Sequence, residues 1–64
     1  MDNMLKDIRI KKKISRKKLA LLVGCDERTI EEIEKYKIYP SKEIMLAIAG
    51  SLGEPPENIF NLSF

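Results

Sequence analysis

With 64 residues, 12 Lys and Arg against 10 Asp and Glu, a net charge of +2, one cysteine and no histidine, the chain reads as one small domain spanning residues 1–64. This composition excludes zinc fingers, His-ligated metal sites, Cys-His and Ser-His nucleophile pairs, and a disulfide within the chain. A chain so short buries only about 60% of its unfolded surface, so its stability is marginal and a partner subunit is a natural source of more.

The first helix is predicted from about Asn3 to Lys12, with Asp2 or Asn3 as N-cap and Leu5 and Ile8 at i, i+3 spacing. Lys11, Lys12 and Lys13 close it, where cations favour the negative end of the helix dipole, and Ile14 anchors the connection to the core. Ser15 caps a second helix, Arg16 to Val23, and Gly24 ends it, since glycine takes positive φ at almost no cost. Asp26 caps a third helix from Glu27 to about Lys35.

Leu19, Val23, Cys25, Ile30 and Ile33 fall where two short helices folded through Gly24 bury side chains against each other, and Ala20 is small where they come closest. That is the logic of a helix-turn-helix over residues 16–35, a unit that lays its second helix in the DNA major groove. Cys25 reads as a small hydrophobe within it, not a redox group.

A loop follows, YKIYP, in which Pro40 pushes Tyr39 out of helical geometry and Tyr39 is expected to pack over the loop. Ser41 caps a fourth helix, Lys42 to Leu52, with Met45, Ile48, Ala49 and Leu52 on one face and Gly53 at its end. Pro55 and Pro56 restart the chain, and a last turn from Glu57 to Phe60 presents Ile59 and Phe60 to the core. Phe60, Leu62 and Phe64 then alternate with Asn61 and Ser63, a strand-like tail expected to dock on the segment 1–4 or on a second subunit.

Charge is unevenly spread. Residues 1–18 carry eight basic and two acidic side chains, while residues 26–34 carry five acidic side chains against Arg28 alone. A basic lobe suits a polyanion, nucleic acid being the commonest, or serves as a solvated lysine-rich helix. No stretch is long and apolar enough to span a membrane, the N-terminus has no apolar signal region, and a lone cysteine fits a reducing compartment, so the protein is expected in the cytoplasm.

Taken together, LKDIRIKKKISRKKLALLVG, CDERTIEEIEKYKIYPS and IAGSLGEPPENIF resemble the helices of the Cro/repressor-type, XRE-like helix-turn-helix regulators, and the likeness runs from Leu5 to Phe60. The fold this implies is all-α, a five-helix lambda-repressor-like domain with room for a short C-terminal strand. The resemblance implies an ion pair between Arg9 and Glu34, phosphate contacts from Ser15, Arg16 and Lys17 before the helix-turn-helix, a second phosphate clamp at Lys35 and Lys37, and base-edge contacts from Glu27, Arg28 and Glu32. It implies double-stranded DNA as partner; with no histidine and one domain, the sequence itself offers no metal site, no cofactor and no evident small-molecule ligand. As a dimer of this kind the chain would use Ile59, Phe60, Leu62 and Phe64, with the fourth and fifth helices, at the subunit interface.

The chain departs from the family pattern in its third helix, at Tyr36, and at Lys42, which stands where an apolar residue is common. The third helix is acidic, with Glu27, Glu31 and Glu32 facing or flanking a negative groove; glutamate can accept from cytosine N4, and Arg28 can fork onto guanine O6 and N7. Glu31 points sideways and reads as a solvated face residue. Tyr36 stands where a left-handed glycine or asparagine is usual, so either the turn differs or tyrosine bears a strain of ~1–2 kcal/mol. Two functions fit: a sequence-specific regulator, in the first instance a repressor acting on an inverted repeat as a homodimer, and a protein-interaction module or antitoxin-like partner using the acidic helix to bind a protein. An enzyme is not expected.

Overall fold

Four helices end in a left-handed residue, and these turns set the path of the chain. The computed structural model describes residues 2–60, and its helices are α1 (Leu5–Lys11), α2 (Arg16–Val23), α3 (Glu27–Glu34), α4 (Lys42–Leu52) and α5 (Pro56–Ile59). Gly24 and Gly53 follow α2 and α4 with φ of 86° and 67°. The same turn after α1 and α3 is made by Lys13 and Tyr36, at φ 60° and 61°. Both are closed by paired backbone bonds that satisfy the last helical carbonyls: Lys13 N–H to Ile10 O with Ile14 N–H to Arg9 O, and Tyr36 N–H to Ile33 O with Lys37 N–H to Glu32 O. At Tyr36 the turn is therefore kept and the strain accepted. The turn at Lys13 delivers Ile14 onto the core.

The predicted caps on α2 and α4 form: Ser15 Oγ accepts from Lys18 N–H at 3.0 Å and Ser41 Oγ from Ile44 N–H at 3.2 Å. Asp26 sits at the N-cap of α3 with extended backbone, but its side chain makes no capping hydrogen bond. α1 begins two residues later than expected. Asn3 pairs in an antiparallel bridge with Phe60, so its backbone is extended; its side chain takes the helix-starting N–H of Leu5 at 3.0 Å. α5 stops one residue short for the same reason, because Phe60 is extended (φ −113°, ψ 135°). Met4 N–H adds a 2.7 Å bond to Ile59 O.

α2 packs on α3 and α4, α4 on α5, and α1 on α3, around Leu5, Leu19, Ala20, Ile30, Ile33, Met45, Ile48, Ala49, Leu52, Ile59 and Phe60. Val23 and Cys25 lie half-buried against this core. Ile59 and Phe60, expected at a subunit interface, are instead 1% and 0% exposed within the chain's own core, so their side chains are not offered to a partner. Leu62 and Phe64 lie outside the described residues. Tyr39 does not pack over its loop; it is 68% exposed, while Pro40 beside it is buried. Among the described residues, no helix is long and apolar enough to cross a membrane.

Candidate nucleic-acid interface

α3 is amphipathic over its short length: Ile30 and Ile33 face the core, and the charged residues between them face outward or toward α2. Its last residue, Glu34, is the exception. The Glu34 side chain is 1% exposed and receives two arginines, Arg9 Nε at 2.6 Å on Oε2 and Arg16 Nε at 2.9 Å on Oε1. Arg9 also donates Nη1 to Ile14 O at 2.9 Å. One carboxylate thus ties α1, the turn after it and the first residue of α2 to the end of α3. The same end takes a further bond from Asn3 Nδ2 to Ile33 O at 2.9 Å. A buried charge is tolerable only when paired and hydrogen-bonded, and here the pairing is complete: no buried side-chain N or O among the described residues lacks a partner.

Arg16, expected to reach a phosphate, is drawn inward. Besides Glu34 it donates Nη1 to Glu31 Oε2 at 3.5 Å. The Glu34 hydrogen bond above all, with the charges of Glu34, Glu31 and Glu27, holds its proton more tightly than usual. Lys35 Nζ reaches the same Glu31 oxygen at 3.4 Å. Arg16, Glu27, Arg28 and Glu31 line one shallow hollow of about 300 Å³ between the N-terminal ends of α2 and α3. Ser15 adjoins it, with its hydroxyl engaged in the α2 cap.

Glu27 and Arg28 are exposed, Glu32 is half-exposed, and among the described residues none of these side chains has a hydrogen-bond or ion-pair partner. Lys17, Lys35 and Lys37 are exposed cations, at the start of α2 and just past the end of α3. So the structure brings Arg16, Glu27 and Arg28 around one hollow and joins Lys35 to it through Glu31, whereas Glu32, Lys17 and Lys37 stand apart from it. Glu31, read from the sequence as a solvated residue, turns out to be the link. Its i, i+4 spacing to Lys35 was the available signal; its contact with Arg16 depends on how α2 crosses α3.

A second, apolar hollow of about 610 Å³ lies away from this face, lined by Tyr39, Pro40, Met45, Leu46 and Pro56 among others. Burial pushes the Cys25 thiol up, away from the reactive thiolate, in keeping with a packing role.

The helix-turn-helix family model matches residues 5–59. Among solved structures, the chain is similar to the restriction-modification controller protein C.AhdI from Aeromonas hydrophila, at 28% identity and a TM-score of 0.83, covering 88% of this chain and 85% of that one. No curated protein sequence matches significantly.

Proposed function

The chain belongs to the Cro/repressor-type helix-turn-helix family of DNA-binding transcriptional regulators, and we propose that it is a sequence-specific repressor binding an inverted-repeat operator in double-stranded DNA as a homodimer. The observation that carries this is the state of α3: its end is fixed by Glu34, while Glu27 and Arg28 at its start are exposed and unpartnered among the described residues. A helix held at one end and open at the other can present side chains to base edges in a major groove without rearrangement. Arg28 forks onto guanine and Glu27 accepts from cytosine, which gives a G/C-containing half-site. Arg16, Lys17, Lys35 and Lys37, with the backbone at Ser15, take the flanking phosphates and set the register. The likeness to a restriction-modification controller supports a regulatory role.

A single short helix reads too few base pairs for a genome, so two subunits bind half-sites about one helical turn apart. Their contact is the apolar face of α4 and α5 with the loop before α4, where Leu46 is 50% and Tyr39 of that loop 68% exposed beside the hollow they line. Repression follows from covering a promoter in the cytoplasm. Truncation after Asn58 would not test the dimer, because it removes Ile59 and Phe60 from the core. Leu46→Glu does: it should leave the helical content intact and halve the mass seen in sedimentation equilibrium.

The DNA reading is tested by fluorescence-anisotropy titration of the protein against a pool of labelled duplexes, including the DNA upstream of its own gene, at low and high salt. Saturable, salt-dependent binding to one palindrome over scrambled DNA is expected. Equal weak binding to every duplex would favour a protein partner for the acidic helix.

A further inference from the structure

Arg16 at the start of α2 and Lys35 at the end of α3, two of the cations proposed above to take phosphates, converge on a single oxygen. Glu31 Oε2 receives Arg16 Nη1 at 3.5 Å and Lys35 Nζ at 3.4 Å. A carboxylate oxygen bridging a guanidinium and an ammonium is what a phosphate oxygen of DNA would be in the same place. The contrast with Glu34 shows that this contact is not structural. Glu34 is buried and closely bonded, whereas the Glu31, Arg16 and Lys35 side chains are 39%, 30% and 52% exposed and the contacts are long. Removing the Glu31 carboxylate leaves no buried group unpaired, because Arg16 keeps Glu34 and Lys35 is in solvent.

We propose that Glu31 is an internal phosphate surrogate: it occupies Arg16 and Lys35 in the free protein, so that any duplex must displace it before those cations reach the backbone. This rests on the DNA-binding reading and adds a function to a residue outside the base-reading set. The displacement opposes every complex by the same factor. At a given protein concentration, random DNA, which offers only phosphates, is left unoccupied, and a site that adds base contacts to Glu27 and Arg28 is not. Because exposed ion pairs weaken with ionic strength, the opposition is strongest at low salt, where random binding would otherwise be greatest.

The test uses the whole chain and a fluorescein-labelled duplex of mixed sequence, with anisotropy read across a salt series for wild type, Glu31→Gln, Asp7→Asn, Lys35→Gln and the Glu31→Gln, Lys35→Gln double variant. Asp7→Asn makes the same change in net charge on the exposed side of α1. Circular dichroism confirms that each variant is folded. Glu31→Gln should bind the duplex about three- to tenfold tighter at low salt, with the gain shrinking as salt rises. In the Lys35→Gln background the gain should diminish, since one of the two captive cations is gone. An equal gain from Asp7→Asn would reduce the effect to net charge and overturn the proposal. An undiminished gain in the Lys35→Gln background would mean direct repulsion of DNA by Glu31, and would overturn it as well. If no variant binds the duplex at low salt, the DNA-binding reading fails and the proposal with it.

Discussion

The two ends of α3 are built to opposite specifications. At its C-terminal end Glu34 is buried, bonded to Arg9 and Arg16, and the helix closes through a hydrogen-bonded left-handed turn that also takes a side-chain bond from Asn3. At its N-terminal end Asp26 makes no side-chain cap, and Glu27 and Arg28 stand in solvent without hydrogen-bond or ion-pair partners among the described residues. Within a helix of eight residues, the buried ion pairs gather at one end and the unpaired polar side chains at the other, the end proposed above to read base edges. Glu31 sits midway and shares both characters: it is paired, but loosely and in water.

The sharpest way to break this contrast is to attack the anchored end. Glu34→Ala should leave two arginines facing a buried void and cost ~3–5 kcal/mol, enough to unfold much of so small a domain. Glu27→Ala at the open end should change stability by less than about 0.5 kcal/mol. Urea denaturation followed by circular dichroism measures both, and similar losses would erase the distinction. Binding should show the reverse order. Arg28→Ala should leave the fold intact and cost ~1–3 kcal/mol of discrimination at one base pair of the operator, read by titrating single-base variants of that site.

A smaller effect probes the closing turn. Tyr36 is half-exposed at φ 61°, so Tyr36→Gly relieves strain with little loss of packing and should raise stability by about 1 kcal/mol in the same urea experiment. Destabilisation would show that the tyrosine ring itself supports the turn. The smallest effect lies outside α3. Glu54 accepts from Lys12 Nζ at 2.9 Å, and this hydrogen bond, then that from Asn58, holds its carboxyl below the usual carboxylate range. A folded-state value below the unfolded one means that the contact adds stability above that range and loses it as pH falls through the lowered value. Wild type should therefore melt slightly above Glu54→Gln near neutrality, with the difference closing in acid.

Much of the fold is written in local chemistry. Ser15, Ser41, Gly24 and Gly53 act within one turn of themselves, and the ends of α2 and α4 fall where they point. The left-handed turn at Lys13 was not legible, because lysine does not advertise positive φ; the requirement comes from Ile14, which reaches the core only if the chain reverses there. The shortened ends of α1 and α5 were hidden for a different reason. Asn3 and Phe60 give up helical geometry to meet each other across nearly the whole chain, and no local propensity reports a contact at that separation. The site divides in the same way. The family pattern located Arg9 and Glu34, whose bond is present at 2.6 Å. It gave Arg16 a phosphate, and could not report that the crossing of α2 over α3 places the guanidinium between two carboxylates of this chain.

The bridge between Asn3 and Phe60 also fixes when the molecule can become itself. Phe60 is the largest of the fully buried side chains and among the last described residues to be synthesised. While the ribosome still holds that segment, Asn3 ahead of α1 has no bridge partner and the core lacks its largest plug. Chains are made at about 5–20 residues per second, slow against the microsecond scale of helix formation, so the nascent helices form and dissolve many times before the closing residue arrives. For this protein, native structure waits on the delivery of Phe60 rather than accumulating helix by helix.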